Sequence, residues 1–194
     1  MKLGRRALLG GAGLLALGVG GLTGRRLWLS REPEPPVAID AKGRALWSNW
    51  AGNERAYPAV RAAPANEAEL AALLPKAQAP VRPVGSGHSF TALVPTDGTL
   101  LSIDRLNGLV GHDAAGLTAT VRAGTKLSAL GPMLASIAQE MPNLPDINKQ
   151  TLAGALATGT HGTGRGIKAI HGDVTAMRLV LPNGEVAECS RDVR

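Results

Sequence analysis

The fold of this chain follows from one segment, Val81-Arg82-Pro83-Val84-Gly85-Ser86-Gly87-His88-Ser89-Phe90. Its first four residues predict a short strand, and two glycines then open a turn. Because glycine has no Cβ, the turn can adopt positive φ and bring its N–H groups against a diphosphate without steric cost. At the end of the turn, His88 supplies a nucleophilic imidazole. The segment therefore predicts a strand that runs into a phosphate-binding turn.

The composition limits which classes of protein fit. Of 194 residues, 44% are hydrophobic but only 3% are aromatic, so a core must consist mainly of Ala, Leu, Val and Ile. The single cysteine, Cys189, excludes an internal disulfide, and we interpret it as a small packed residue. The net charge of +6 comes from residues 1–31, which hold six basic side chains and no acid, and residues 32–194 are formally neutral. A neutral domain gives no electrostatic reason to expect a nucleic-acid partner.

Residues 1–24 have the pattern of a targeting segment. They begin Met1-Lys2-Leu3-Gly4-Arg5-Arg6 and continue as an uncharged Ala, Leu and Gly stretch, which resembles a bacterial twin-arginine export signal. The alternative is a plain membrane anchor, because about 18 residues can just cross a hydrocarbon core of about 30 Å. We therefore expect the export machinery as a partner and a periplasmic or other extracytoplasmic location, with or without a membrane anchor. Residues 25–46 are predicted as a proline-rich linker.

The apolar pattern after Trp47 changes repeatedly between helical and extended spacing, which predicts an α+β fold. The first helix is predicted over residues 67–78, with Asn66 as its N-cap and Glu69 completing a capping box. Pro182-Asn183-Gly184 is a strong signal for a β-hairpin turn. The other predicted elements are a strand over 100–104, a strand over 118–123, a helix over 126–140, and the hairpin strands 177–181 and 185–189.

A second glycine-rich run, QTLAGALATGTHGTG, covers residues 150–164. Small residues and hydroxyls at this density are poor core material. They suit a slot for a flat, polar ligand, because glycines allow close approach and threonines can donate hydrogen bonds. A flexible surface loop is the alternative. His161 has no carboxylate or histidine at a usual partner spacing, so no metal site is predicted.

These segments together resemble the flavin domain of the vanillyl-alcohol oxidase/p-cresol methylhydroxylase superfamily, and within it the aldonolactone oxidase and alditol oxidase branch. The resemblance is carried by residues 84–90, 100–104, 121–124 and 151–164, in the same order. It implies a PCMH-type FAD-binding fold over residues 47–194, with a first subdomain at 47–105 and a second at 106–194. It also implies that the second subdomain is incomplete at its C-terminus and that the substrate-cap domain is missing. The chain has no Walker lysine, which disfavours a P-loop.

The resemblance also implies which residues hold the cofactor. In that family the glycine turn holds the pyrophosphate of FAD, and the histidine before the serine bonds covalently to the 8-methyl carbon of the flavin. Carried to this sequence, the attached residue is His88. The second run would contact the flavin ring and the adenosine side. The implied cofactor-binding residues are Val84, Gly85, Ser86, Gly87, His88, Ser89, Phe90, Thr151, Gly154, Thr158, Thr160, His161, Gly162 and Thr163.

The reaction implied by the resemblance is hydride removal from the CH–OH group of a sugar alcohol, aldonolactone or related polyol to FAD. Oxygen or a redox carrier would then take the electrons. No catalytic base can be assigned on this sequence, because that family places most of its polar active-site residues in the cap domain. The alternative is a non-catalytic or degenerate flavin-binding module that needs a separate cap subunit.

Overall fold

The computed structural model describes residues 36–191, so the predicted leader and the first part of the predicted linker lie outside the described residues. The described chain combines strands and helices, in agreement with the α+β prediction. No helix within residues 36–191 is long and apolar enough to cross a membrane. In chain order the elements are β1 (Trp47–Ser48), β2 (Arg55–Ala56), β3 (Val60–Ala62), α1 (Glu67–Leu73), a 3₁₀ turn (Leu74–Lys76), β4 (Val81–Val84), β5 (Thr99–Ser102), β6 (Leu109–Asp113), β7 (Thr118–Val121), α2 (Leu127–Ala135), α3 (Leu152–Ala157), a second 3₁₀ turn (Ile170–Asp173), β8 (Ala176–Val180) and β9 (Val186–Ser190).

A three-stranded parallel sheet with the strand order β3-β5-β4 holds the segment that ends in the glycine turn. β5 is the middle strand, and Leu100 and Leu101 in it are buried. Thr99 is also buried, and its hydroxyl donates to the carbonyl of Gln78 at 2.8 Å. Because the strands are parallel, β4 and β5 both end at the same edge of the sheet. The chain leaves β4 at this edge through Gly85.

Helix α1 begins where the sequence predicts. The side chain of Asn66 accepts a hydrogen bond from the Glu69 N–H at 2.9 Å, and the Glu69 carboxylate accepts one from the Ala65 N–H at 2.8 Å. These reciprocal bonds satisfy N–H groups that the first helical turn leaves free. The prediction that the helix reaches residue 78 is wrong, because α1 ends at Leu73 and continues as a single 3₁₀ turn. Pro75 explains the change, since proline lacks the N–H that the next α-helical bond needs.

Helices α2 and α3 share one apolar core. Its buried members are Leu127, Leu130 and Leu134 of α2, Ala155 of α3 and Ile170 of the second 3₁₀ turn. Helix α2 was predicted over residues 126–140 but ends at Ala135. The backbone turns to a positive φ at residue 138, which stops a right-handed helix.

Helix α3 was not predicted, and it corrects the description of residues 150–164 as only a slot or a loop. Thr151 is its N-cap, and the threonine hydroxyl accepts a hydrogen bond from the Gly154 N–H at 3.3 Å. The helix has six residues, which is too short for a clear helical period. Its small side chains also gave no apolar stripe.

Within residues 36–191 three strand pairs are antiparallel, β1 with β2, β6 with β7 and β8 with β9, and the sequence predicted parts of the last two. β8 and β9 pair in register as expected, and each strand is displaced by one residue from its predicted position. The predicted strand over 118–123 is present as β7 but ends at Val121. Its partner β6 was not predicted, because Gly111 and Asp113 within it are poor strand formers.

The end of the predicted linker contains a turn. Ile39 and Ala45 form an antiparallel bridge, and the Asp40 carboxylate between them accepts hydrogen bonds from the N–H groups of Lys42 and Arg44 at 2.9 and 2.8 Å. The extended spacer predicted from the prolines therefore gives way to ordered chain before Trp47. The division into subdomains at residue 105 stays a prediction.

Candidate functional site

The glycine turn lies at the carboxyl edge of the parallel sheet. Val84, the last residue of β4, is buried, and its carbonyl accepts a hydrogen bond from the Ile103 N–H at 3.1 Å. Asp104 follows β5 at the same edge. Ligands of open parallel sheets bind outside the carboxyl ends of the strands. The position of the turn in the fold is therefore that of a ligand site.

The turn presents unused backbone donors. Within residues 36–191, the N–H groups of Ser86, Gly87, His88 and Ser89 donate to no protein acceptor. Gly87 has a φ of +64°, a conformation that glycine adopts without strain. Its carbonyl accepts a hydrogen bond from the Trp50 N–H at 2.9 Å. Consecutive free N–H groups in a turn form a site for an anionic group.

The loop after β1 holds the end of the turn in place. Asn49 is buried, and its amide donates to the Ser89 carbonyl at 2.9 Å. The Asn49 side-chain oxygen accepts from the Glu54 N–H at 3.1 Å, so both ends of this side chain are satisfied. The amide of Asn53 donates to the Phe90 carbonyl at 3.1 Å. This loop was not predicted from the sequence, although Trp47 lies in the strand directly before it and Trp50 lies within it, in a chain with few aromatic residues.

The imidazole of His88 is half-buried and stacks on the indole of Trp50. The ring centroids are 5.0 Å apart and the planes differ by 15°. The edge of Phe90 meets the same indole at 6.2 Å. Trp50 and Phe90 are each 64% exposed, so this aromatic group lies at the surface beside the turn.

A close contact joins the glycine turn to the second glycine-rich run. A Cβ placed on Gly85 would lie 2.1 Å from the hydroxyl oxygen of Thr151, so only glycine fits at that position. Thr151 is fully buried, and it forms a bridge with Lys126. Gly85 and Thr151 are 66 positions apart in the chain, so the two segments that the sequence singled out meet at the N-terminus of α3.

Lys126, a residue that the sequence does not single out, lies against the turn. The ammonium group of Lys126 donates to the Ser86 hydroxyl at 2.9 Å and to the Asp104 carboxylate at 2.7 Å. The Ser86 hydroxyl in turn donates to the carbonyl of Lys149. Lys126 and Asp104 also line a cleft of about 230 Å³. A partly exposed cation beside free N–H groups adds to the attraction for an anion, although Asp104 offsets part of its charge.

The side-chain oxygen of Gln150 is buried and has no hydrogen-bond partner within the described residues. A buried acceptor without a partner costs about 1–3 kcal/mol, so it is expected to be satisfied in the working protein. Gln150 directly precedes Thr151, whose hydroxyl meets Gly85. A ligand with N–H or O–H groups could supply the missing donor.

The rest of the second run makes mainly local contacts. The Thr158 hydroxyl donates to the Gly154 carbonyl at 2.9 Å and lies 3.4 Å from the Thr160 hydroxyl. His161 Nδ1 lies 2.8 Å from the carbonyl of Gly162, and Thr163 is exposed. Gly162 packs closely against the loop at residues 143–144 rather than against the glycine turn. The structure thus joins Gly85 with Thr151, whereas a role of residues 158–163 in ligand binding stays a prediction.

Within residues 36–191, no group of three His, Cys, Asp or Glu side chains is arranged to hold a metal ion. Cys189 is a free, partly buried thiol in β9.

Comparisons with known proteins identify relatives of this domain. A family model described as "FAD binding domain" matches residues 58–190. L-gulono-1,4-lactone dehydrogenase of Mycobacterium tuberculosis is 39% identical over 148 residues, which cover 75% of this chain and 35% of that protein. L-gulonolactone oxidase of Bos taurus is 30% identical over 147 residues, which cover 74% of this chain and 33% of that protein. The chain thus spans about a third of the length of the curated relatives it matches.

Solved structures share the fold at low sequence identity. Cholesterol oxidase from B. sterolicum aligns with a TM-score of 0.62 at 21% identity, over 82% of this chain and 34% of that chain. 6-Hydroxy-D-nicotine oxidase from Arthrobacter nicotinovorans aligns with a TM-score of 0.57 at 15% identity, over 84% of this chain and 38% of that chain. Both alignments cover more than four fifths of this chain, so the fold described above is the one these proteins share.

Proposed function

The chain belongs to the FAD-binding domain family, and from this membership we propose that it carries the flavin-binding portion of an FAD-dependent oxidoreductase. The proposed donor is the CH–OH group of an aldonolactone, a sugar alcohol or a related polyol. The lactone dehydrogenase and oxidase names of the relatives support this donor class. The observation that carries the proposal is the contact between Gly85 and Thr151, because it joins the two segments that the sequence predicted as ligand-binding at the carboxyl edge of the sheet.

The residues at this edge fit FAD. The free N–H groups of residues 86–89 and the ammonium of Lys126 suit the diphosphate. The orphan acceptor of Gln150 suits one of the N–H or O–H donors of the cofactor. When bound, FAD supplies the hydride acceptor, so the chain's own residues contribute binding and orientation. Val84, Gly85 and Thr151 are buried or tightly packed, and their part is to shape the turn.

We further propose that His88 bonds covalently to the 8-methyl carbon of FAD. A neutral imidazole nitrogen is a nucleophile, and within residues 36–191 neither ring nitrogen of His88 has a hydrogen-bond partner. The new C–N bond replaces one N–H bond of the imidazole and one C–H bond of the methyl group. The two protons would pass to solvent, and FAD, when bound, would accept the two electrons, which oxygen would then remove.

The donor class can be tested with the purified full chain after it is loaded with FAD. The chain is mixed anaerobically with L-gulono-1,4-lactone, D-arabinono-1,4-lactone, xylitol and sorbitol in separate experiments. We expect the flavin absorbance to bleach with at least one of them, and the colour to return when oxygen or a redox carrier is admitted. If the yellow colour persists with every donor, the chain is better described as a flavin-carrying module that works with a separate cap subunit.

We also propose that residues 1–24 direct export to an extracytoplasmic location. The paired Arg5 and Arg6 before an uncharged stretch support this proposal. Replacing both with lysine keeps the charge and removes the arginine pair. We expect the double variant to accumulate in the cytoplasmic fraction, and an unchanged distribution would leave only the anchor interpretation.

A further inference from the structure

Trp50 contacts the turn through both its backbone and its side chain. Its N–H donates to the carbonyl of Gly87 at 2.9 Å, which fixes the residue before His88. Its indole lies nearly parallel to the imidazole of His88, with 5.0 Å between the ring centroids. One residue of the loop after β1 therefore holds both the backbone and the ring of the histidine at the end of the turn.

Little else in the described structure orients the imidazole. Within residues 36–191, the ring of His88 makes no hydrogen bond. Asn49 contacts Ser89, the residue after His88, only through the Ser89 carbonyl. The ring of Phe90 contacts the indole of Trp50 rather than the imidazole. A histidine is usually oriented by a hydrogen bond to one ring nitrogen. Here the stack orients the ring and leaves both nitrogens free.

We propose that Trp50 is a positioning residue for covalent attachment of FAD at His88. This inference rests on the proposed function, because it concerns the rate of the bond-forming step at the same histidine. Bond formation requires the nucleophile to be held in a narrow range of orientations close to the carbon it attacks. An indole face restricts the imidazole plane without using a nitrogen lone pair. No bond of Trp50 forms or breaks in the attachment step, and Trp50 gives up no electrons.

The exposure of Trp50 argues against a role in the core. Its side chain is 64% exposed, so it gains little free energy from burial. Its backbone hydrogen bond to Gly87 does not depend on the side chain. A substitution at this position is therefore expected to leave the fold intact, and the unfolding temperature of each variant checks this.

The test compares W50L and W50F with wild type as apoproteins of the full chain, mixed with increasing FAD. Leucine keeps an apolar side chain without a ring, and phenylalanine keeps a stacking face. Covalent flavin is followed by the fluorescence of the protein band after denaturation, and non-covalent binding by quenching of flavin fluorescence. We expect W50L to lower the limiting rate of covalent attachment at saturating FAD by about threefold to tenfold, the range of a lost aromatic pair. The half-saturating FAD concentration should change less than twofold, and W50F should retain most of the rate.

The outcomes separate this inference from the proposal on which it rests. If wild type attaches FAD and W50L attaches it at the same limiting rate, the tether stands and the role of Trp50 is overturned. The role is also overturned if W50F is as slow as W50L, because the ring face would then be irrelevant. If wild type shows no covalent flavin at all, the tether itself is wrong and the positioning role falls with it.

Discussion

At the scale of single residues, the site depends on one position where only glycine fits. An alanine at residue 85 would place its Cβ 2.1 Å from the Thr151 hydroxyl oxygen and 3.0 Å from its methyl carbon. Relief of such overpacking typically costs about 1–3 kcal/mol. The shift that relieves this clash would also separate the glycine turn from the N-terminus of α3.

We predict that G85A lowers both the free energy of unfolding and the affinity for FAD. Adding T151A removes the two clashing atoms, although it also removes the N-cap of α3, which is worth about 1 kcal/mol. The double variant should therefore be less destabilised than the sum of the two single variants, as measured by urea unfolding. Strict additivity would show that the two residues do not meet.

Trp50 and Lys126 show why part of the site was missed from the sequence. Each becomes informative only through a partner that is 38 or 40 positions away in the chain, His88 for the first and Ser86 for the second. Local spacing carries no signal for such pairs. The glycine turn itself was found because its glycines and its histidine are adjacent.

At the scale of elements, α2 and α3 end with the same type of hydrogen bond, from an N–H to the carbonyl five residues before it. After α2, Gln139 N–H donates to the Leu134 carbonyl at 2.9 Å, and residue 138 has a φ of +56°. After α3, Thr160 N–H donates to the Ala155 carbonyl at 3.0 Å, and residue 159 has a φ of +64°. This is the Schellman pattern, in which glycine is preferred at the positive-φ residue. Helix α3 has that glycine, whereas α2 has an alanine.

We predict opposite effects from exchanging these two residues. At positive φ the Cβ of residue 138 lies too close to the backbone, and A138G removes this contact. The variant should therefore raise the free energy of unfolding by about 1 kcal/mol. G159A introduces the same contact at residue 159 and should lower the free energy of unfolding by a similar amount. Chemical denaturation of the two variants measures both changes. Equal signs for the two would contradict the backbone conformations described here.

An ion pair attaches the hairpin of β8 and β9 to α1. The Arg178 guanidinium makes two hydrogen bonds to the Glu67 carboxylate, at 2.8 and 3.0 Å, and a third to Glu188 at 2.6 Å. The hydrogen bonds from Arg178 lower the pKa of Glu67, and the Glu67 carboxylate raises the pKa of Arg178. Both side chains are about half exposed, so the pair is screened by solvent and salt.

The lowered pKa of Glu67 predicts a pH dependence of stability. A carboxyl whose pKa is lower in the folded state stabilises the fold above its ordinary value of 4.5 and loses that contribution as the pH falls through the folded value. Wild type should therefore be more stable than E67Q near neutral pH, and the difference should shrink below pH 4.5. Urea unfolding across this range measures it. A difference that stays constant with pH would show that the pair makes no net contribution.

The sequence predicted elements with strong local signals and missed those without them. The cap of α1 and the turn between β8 and β9 use residues whose side chains bond to nearby backbone, so their signals lie within a few positions. Helix α3 was missed because its six residues are too few for a clear helical period, and strand β6 because it contains a glycine and an aspartate. The early ends of α1 and α2 depend on a proline and a positive φ that the apolar stripe does not reveal.

At the scale of the whole molecule, the described chain assembles its site from four separate segments. The loop after β1, the turn after β4, Lys126 before α2 and the N-terminus of α3 all meet at or beside the carboxyl edge of the parallel sheet. The sequence predicted two of these segments, and a family resemblance predicted that both bind FAD. The other two follow only from the tertiary structure. FAD bound across these segments should stabilise them together and raise the unfolding temperature with FAD concentration.

The central claim is that this edge binds FAD and that His88 is its covalent attachment point, and mass spectrometry of the denatured full chain tests it most directly. Wild type loaded with FAD should carry the added mass of one flavin cofactor on the peptide that contains His88. H88A should bind FAD reversibly through the turn and lose all of it on denaturation. Flavin that remains attached to denatured H88A, or wild-type protein that releases all its flavin, would contradict the account.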